Sequence, residues 1–210
     1  YKRLVDMDSL LREGSNILNR LKEILITVEK EIPYFENVFS KLTVLEKINA
    51  PQLSRFLYDV KSIELNTLGF AKCFDLFINY SENAGRNGGE YTSPDTVNKI
   101  GISILSPLDG TFYDGVLGLG GGAIEAIRYS NENNGELDIY GQEKDARTYG
   151  LAKIRLFVSG GENVKITKGD IFSAPGFKEG NTLGDFDYVY MDIPKGLAIN
   201  HNFTHDPFDR

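Results

Sequence analysis

The chain has 210 residues, of which 41% are hydrophobic and 25% are charged, values typical of a folded globular protein. Its net charge of −7 argues against tight, unaided binding to nucleic acid, because phosphate contacts need clustered Lys and Arg. No apolar run approaches the length of a membrane span, so no membrane partner is expected. The chain begins with Tyr1 rather than methionine, and we therefore treat it as a possible fragment.

Cys73 is the only cysteine, so the chain cannot form an internal disulfide. A reducing, cytoplasmic setting is the simplest interpretation. The surrounding sequence, GFAKCFDLF, looks helical and apolar, which predicts that Cys73 is a small residue of the core.

The N-terminal part predicts an all-helical domain over residues 1–84. Apolar residues recur at three- and four-residue steps through residues 1–32, which predicts one helix that ends before Pro33. Its apolar stripe could belong to the core or to a surface for a partner helix, and the core is the more common case. The rest of this part predicts shorter helices, broken near Pro51 and Gly69, and no strand.

Strand and helix patterns alternate over residues 85–210, after a loop rich in Gly, Ser and Asn. Ser93 or Asp95 could cap the first helix of this part. The predicted elements are strand GTFYDGVLG, helix GAIEAIRYS, strand LDIYGQE, helix DARTYGLAKIRLFVSG, strand VKITKGD and strand DFDYVYMDIP. The last strand is expected to be buried from Phe186 to Met191. This alternation predicts an α/β fold with a mostly parallel sheet and with ligands at the carboxyl ends of its strands.

Four glycines lie between the first strand and the helix that follows it, in YDGVLGLGGGAIEA. Gly118, Gly120 and Ala123 fit the GxGxxG/A pattern, in which glycines let the backbone pass close to a ligand. Because this pattern alone is weak evidence, a plain tight turn is the alternative.

Three acids near strand ends indicate which ligand the turn would hold. Glu143 ends the second strand, where a carboxylate can accept hydrogen bonds from the two hydroxyls of a ribose. Asp114 ends the first strand, where it would repel the pyrophosphate of NAD and would suit a cationic sulfonium and ammonium. Asp170 follows the third strand and could accept from an adenine amine, or could simply stabilise a turn. These positions favour S-adenosylmethionine, so a nicotinamide-dependent oxidoreductase is the weaker alternative.

In this order, the motifs from about Leu68 to the C-terminus resemble those of adenine-specific DNA methyltransferases, especially the modification subunit of type I restriction–modification systems. GGEYTSPDTV resembles the entry motif Gly-Glu-Phe-Tyr-Thr-Pro, YDGVLGLGGG resembles Asp-Pro-x-x-Gly-Ser-Gly-Gly, and KGDIF resembles Gly-Asp-Thr-Leu. YGQE matches well, and FDYVYMDIPKG lies where the family has Phe-Asp-x-Val-x-x-Asn-Pro-Pro-Phe/Tyr. The N-terminal helices are similar to the helical domain of that subunit.

The resemblance implies a doubly wound, Rossmann-like sheet of seven strands, of which this chain supplies roughly the first four. It also implies S-adenosylmethionine as the cofactor and methylation of the exocyclic amine of adenine in DNA. A separate specificity subunit would read the DNA, and other restriction–modification subunits would be partners, which suits an acidic chain. The residues implied to bind the cofactor are Tyr91, Thr92, Ser93, Asp114, Gly118, Gly120, Glu143, Asp170 and Ile171. The residues implied to hold the flipped-out adenine are Asp192, Ile193, Pro194 and Lys195.

Several residues depart from the family pattern. Lys195 stands where an aromatic ring would stack on the adenine, an interaction worth roughly 1–3 kcal/mol per base. Ile193 lacks the rigidity of the usual proline, whereas Asp192 keeps an acceptor that the family permits. Gly115 replaces a proline and Leu119 a small serine, which predicts weaker cofactor binding. The alternative function is therefore a catalytically degenerate methyltransferase-like module for binding or regulation.

No metal site is expected. His201 and His205 are four residues apart, but their Asn- and Pro-rich surroundings predict a loop. Solvent-exposed histidines are therefore favoured over metal ligands.

Overall fold

A computed structural model describes residues 6–40, 43–62, 69, 71–77, 95–161, 163–180 and 182–193. The chain divides into two compact units, Tyr1–Gly69 and Phe70–Arg210. The domain boundary predicted at residue 84 lies outside the described residues and stays a prediction. Within the described ranges, no helix has both the length and the apolarity that crossing a membrane requires.

In the described part of the first unit, three α-helices surround a small apolar core. The helices are α1 (Met7–Leu11), α2 (Ile17–Glu31) and α3 (Ala50–Lys61), joined by 3-10 turns at Gly14–Asn16, Pro33–Phe35 and Thr43–Glu46. The buried core residues are Leu10, Ile17, Leu53 and Leu57. Leu18, Leu21 and Ile24 pack against them, so this side of the α2 stripe serves the unit's own core.

The single helix predicted over residues 1–32 is wrong, because α1 and α2 are separate helices. Gly14, between them, has φ +57°, a left-handed conformation that interrupts a helix. The predicted end before Pro33 is confirmed, since α2 ends at Glu31. Pro51 lies in the first turn of α3, where a helix does not need the missing amide hydrogen, so it marks a helix start.

The second unit alternates helices and strands, as predicted. Its helices are α4 (71–77), α5 (Asp95–Leu105), α6 (Gly121–Glu132) and α7 (Ala146–Val158). Its strands are β1 (Gly110–Asp114), β2 (Leu137–Glu143), β3 (Val164–Lys168), β4 (Lys178–Glu179), β5 (Thr182–Leu183) and β6 (Tyr188–Tyr190). Four strands form a parallel sheet in the order β3-β2-β1-β6, and β4 and β5 form an antiparallel hairpin. The predicted α/β class and parallel sheet are confirmed.

The strand order reverses between β1 and β6. The chain winds outward from β1 through β2 to β3, and then returns to pair β6 with the other side of β1. Asp114 of β1 lies opposite Tyr190 of β6 in this pairing. Ligands of doubly wound sheets bind beyond the carboxyl ends of the strands at such a switch point. The end of β1 is therefore the place to look for a site.

Small and apolar side chains fill the space between the sheet and its helices. Phe112 of β1 and Ile139 of β2 are buried, and so are Ala123 of α6 and Leu156 of α7. Because α6 packs on β1 and β2 and α7 packs on β2 and β3, these helices hold the strand ends in place.

Two predictions about burial are wrong. Val189 and Met191 are 50% and 39% exposed, because β6 is an edge of the described sheet and pairs only with β1 there. Cys73 is exposed in α4. This helix turns the face that carries Ala71 and Phe74 inward, and a residue two positions after Ala71 lies off that face.

Candidate functional site

Four carboxylates lie at the carboxyl ends of the four parallel strands. Asp114 and Glu143 are the last residues of β1 and β2, while Asp170 and Asp192 follow β3 and β6 by two residues. The strand order arranges them along one edge of the sheet as Asp170, Glu143, Asp114 and Asp192. None of the four forms an ion pair with another described residue. The sheet thus brings together acids that the sequence analysis singled out one by one.

The turn between β1 and α6 depends on glycine at two positions. Gly118 and Gly120 have φ values of +53° and +79°, a region that residues with a Cβ rarely adopt. The amide of Gly120 donates to the carbonyl of Leu117 at 2.8 Å and closes the turn. Because α6 begins directly after Gly120, no side chain at that position caps the helix. Both the ligand-binding and the plain-turn interpretation require this backbone.

Glu143 supports the glycine turn and keeps acceptor capacity. Its Oε2 accepts from the amide of Gly118 at 2.9 Å, and its Oε1 accepts from the amide of Asp145 at 2.7 Å. The two oxygens of a carboxylate have four lone pairs, so Glu143 can accept from a ligand as well. Burial raises the pKa of Glu143, although the backbone amides of Asp145, Gly118 and Lys144 lower it. A hydroxyl donor on a ligand would match the acceptor capacity that remains.

Asp114 is buried at the switch point, with only 2% of its surface exposed. The amide of Val116 donates to its Oδ1 at 3.1 Å. Burial raises the pKa of Asp114 from 3.8 to about 7, and the negative charges of Glu143 and Asp192 add to the rise. An ionised carboxylate is costly in such surroundings unless a positive group pairs with it. The position therefore favours a cationic ligand.

The two departures beside the glycine turn are accommodated by other side chains. A Cβ at Gly115 would lie 2.7 Å from Cε of Met191, so the methionine fills space that a larger residue would need. Leu119 is buried, and its carbonyl accepts from Nη1 of Arg155 at 3.1 Å. Nε of Arg155 also donates to Asp75 of α4 at 2.7 Å. The turn is therefore supported from the protein side.

Tyr190 is a residue of this site that the sequence analysis missed. Its hydroxyl donates to Oδ1 of Asn98 in α5 at 2.9 Å. A Cβ at Gly122 would lie 2.5 Å from a ring carbon of Tyr190, so the glycine lets the ring lie against the first turn of α6. Burial raises the pKa of Tyr190 to about 12, and the charges of Asp192 and Asp114 contribute. Only the pairing of β6 with β1 brings residues 98 and 190 together, so no local pattern could reveal the contact.

Asp170 closes a turn after β3. Its Oδ1 accepts from the amide of Phe172 at 2.9 Å, and its carbonyl accepts from the amide of Ala174 at 2.8 Å. Its Oδ2 accepts no hydrogen bond from another described residue. The turn role is therefore observed for one oxygen, while the other oxygen keeps the capacity to accept from a ligand. Ile171, the next residue, is half-buried in this turn.

The segment predicted to hold the target base is described only in part. Asp192 and Ile193 are exposed after the end of β6. The predicted site residues outside the described part of the chain are Pro194, Lys195, Tyr91, Thr92 and Ser93, and His201 and His205 also lie there. The roles expected of these residues stay predictions.

Comparisons with known proteins agree with this arrangement. The sequence pattern of the family described as N-6 DNA methylase matches residues 69–209. The methylase subunit of the type I restriction enzyme MjaIX from Methanocaldococcus jannaschii is 25% identical over 181 residues, which are 84% of this chain and 30% of that protein. The methylase subunit of the type I restriction enzyme MpnII from Mycoplasma pneumoniae is 24% identical over 172 residues, covering 73% of this chain and 31% of that protein.

A solved structure shares the fold. The methyltransferase subunit of the type I restriction–modification system from Streptococcus thermophilus superposes with a TM-score of 0.71 at 20% identity, over 92% of this chain and 44% of that one. The chain spans about a third of the length of the two curated relatives. Since the family pattern covers well over half of its residues, the chain belongs to the N-6 DNA methylase family.

Proposed function

We propose that this chain carries the cofactor-binding part of an adenine-specific DNA methyltransferase subunit of a type I restriction–modification system. The observation that carries the proposal is the row of four strand-end carboxylates beside the glycine turn, with the buried Asp114 at the switch point. S-adenosylmethionine fits this row, because it combines a ribose, an adenine and two positive groups in one molecule. No ion pair between described residues satisfies Asp114, which leaves its charge for a ligand cation.

Each acid receives a role that its surroundings support. Glu143 accepts from the ribose hydroxyls with the acceptor capacity that its backbone amide partners leave open. Asp114 attracts the positive end of the cofactor. Asp170, whose Oδ2 accepts no hydrogen bond from the described part of the chain, accepts from the amine of the cofactor's adenine. When bound, S-adenosylmethionine supplies an electrophilic methyl group.

The target adenine would be held at the end of β6. The carboxylate of Asp192 and the carbonyl of Ile193 are acceptors for its exocyclic amine. Methyl transfer of this kind depends on the alignment of the amine nitrogen with the methyl carbon, more than on proton transfer. Asp192 and Asp114 lie at the ends of neighbouring strands, which suits such an alignment.

DNA, a specificity subunit and other restriction–modification subunits are the partners that we propose. The net charge of −7 supports a subunit that leaves much of the DNA contact to other chains. The relatives named above are themselves called subunits of type I restriction enzymes. The presence of a single cysteine suits the reducing cytoplasm.

Similarity to methylase subunits favours methyl transfer over the alternative of a binding module that lacks catalysis. Lys195 and Ile193 remain the residues on which that alternative rests. We expect the double substitution Ile193→Pro and Lys195→Phe to raise methyl transfer to adenine in DNA, measured with the partner subunits present. Unchanged transfer would mean that these two residues do not limit the reaction.

Calorimetric titration tests the proposal directly. We expect saturable binding of S-adenosylmethionine and none of NAD, because Asp114 repels a pyrophosphate. Asp114→Asn removes the carboxylate at the switch point and should weaken binding at least tenfold. Asp185→Asn is the matched control, because Asp185 is exposed and its substitution removes the same charge elsewhere in the unit. Equal affinity for both ligands, or equal effects of both substitutions, would contradict the proposal.

A further inference from the structure

Gln142 is a fully buried polar residue next to Glu143, with 0% of its surface exposed. Its Oε1 accepts from the hydroxyl of Tyr113 at 3.2 Å and from the amide of Gly176 at 2.9 Å. Its Nε2 donates to the carbonyl of Ala174 at 2.8 Å. A buried carboxamide with three hydrogen bonds has one fixed orientation, because each lost bond would leave a buried polar group without a partner.

Two of these bonds hold the turn that carries Asp170. The carbonyl of Ala174 accepts from the side chain of Gln142, and the amide of Ala174 donates to the main-chain carbonyl of Asp170, so Ala174 connects Gln142 to the backbone of Asp170. Gly176 fixes the end of the same segment on Gln142. Just before this turn, the amide of Gly169 donates to the carbonyl of Glu143 at 3.0 Å.

The backbone of Gln142 also contacts the glycine turn. Its carbonyl accepts from the amide of Leu117 at 3.0 Å, one residue before Gly118. Gln142 therefore connects the end of β2 to two loops, one leading to Gly118 and one containing Asp170. A shift of this residue would move the ribose acceptor and the adenine acceptor relative to each other.

We propose that Gln142 is a positioning residue that sets the cofactor's base specificity, by fixing the distance between Asp170 and Glu143 through Ala174 and Gly176. This inference rests on the proposed function of the site. Gln142 acts through the loop and not on the ligand itself. Its removal should therefore affect the recognition of the adenine amine more than the binding of the ribose.

The test compares two ligands that differ only at this amine. S-adenosylmethionine is titrated against its purine analogue, in which a hydrogen atom replaces the amine and cannot donate to the carboxylate of Asp170. A hydrogen bond between a neutral donor and a charged acceptor makes the unaltered chain prefer adenine by roughly tenfold or more. Gln142→Met keeps the length of the side chain and removes all three hydrogen bonds, and should reduce this ratio to about 1–3.

A milder pair of substitutions guards against loss of folding in the methionine variant. Tyr113→Phe removes one donor to Oε1 and should lower the ratio partly. Tyr140→Phe is the matched control, because Tyr140 packs on the same rings of Phe177 and Phe186 while its hydroxyl contacts Lys165. Its ratio should equal that of the unaltered chain.

Each outcome decides one question. A ratio that falls in Gln142→Met and Tyr113→Phe, but not in Tyr140→Phe, supports the positioning role. An equal loss of affinity for both ligands, with an unchanged ratio, overturns that role and leaves the proposed function standing. If the unaltered chain binds neither ligand, the proposed function is overturned and this inference with it.

Discussion

Replacement of Asp114 by asparagine should make the protein more stable at high pH. The side chain is buried, and its pKa is raised from 3.8 to about 7, mainly by burial. The folded state then holds this proton more tightly than the unfolded state, so stability falls as pH rises from about 4 to about 7. Asparagine does not titrate, and its Oδ1 can keep the hydrogen bond from the amide of Val116. The variant should therefore avoid this loss of stability, which is the penalty for ionising a buried carboxyl group.

The size of this penalty follows from the two pKa values. A shift of about three units corresponds to about 4 kcal/mol once the pH exceeds 7. By the same relation, about 2 kcal/mol is already present at pH 5, so roughly 2 to 3 kcal/mol develops between pH 5 and pH 8. The asparagine variant should gain this amount over the unaltered chain across that interval, since other titrating groups are common to both proteins.

Hydrogen exchange of peptides from β1 and β2 measures this difference in the second unit of the chain, which contains Asp114. The chain has two compact units, and exchange reports the opening of the second one by itself. Opening free energies are compared at pH 5 and pH 8, after correction for intrinsic exchange rates, with Asp185→Asn as the control. A difference between variant and unaltered chain that is the same at both pH values would refute the assignment of Asp114 as a buried titrating acid.

Three further substitutions test the packing around the site. Tyr190→Phe should lower the opening free energy of the second unit by about 1 kcal/mol, the usual worth of one hydrogen bond, whereas Tyr188→Phe on the same strand should change it by a few tenths. Gly122→Ala should destabilise by about 1–3 kcal/mol in the same exchange measurement, because its Cβ meets the Tyr190 ring at 2.5 Å; an unchanged value would mean that the ring moves freely. Asp145→Ala removes the N-cap of α7 and should lower the free energy of unfolding by about 1 kcal/mol, measured in urea. An unchanged free energy would contradict the two hydrogen bonds that backbone amides donate to this side chain.

Much of the second unit could be predicted from sequence, because the patterns that indicate its helices, strands and turns lie within short segments. Alternating apolar patterns and glycine-rich turns mark β1, α6, β2 and α7. The observed β1, β2 and α7 lie within their predicted segments, and α6 extends one residue before and two residues after its predicted segment. The acids were recognisable because parallel strands share one carboxyl edge, so a residue at a strand end is placed by the strand itself. Asp114 and Glu143 are placed in this way, whatever the details of packing.

The residues that were missed depend on contacts between distant parts of the chain. Tyr190 reaches Asn98 across 92 residues, and Gln142 reaches Ala174 across 32 residues. Neither contact leaves a periodic signal, because it arises only when the register of the strands has been fixed. The exposed Cys73 has a similar cause, since an apolar neighbourhood in the sequence does not state which face of a short helix turns inward.

The burial of Asp114 bears on the choice between an active and a degenerate site. A penalty of about 4 kcal/mol is a large part of the 5–15 kcal/mol by which a typical domain is stable. A cation that pairs with Asp114 would remove much of this penalty, so binding energy and folding energy are coupled at one carboxylate. The role proposed for position 195, where Lys195 would stand in place of a base-stacking aromatic, does not affect this coupling, because that role concerns the target base and not the cofactor. The cofactor site can therefore be functional while the site for the target base is not. Cofactor binding and methyl transfer have to be measured separately for this reason.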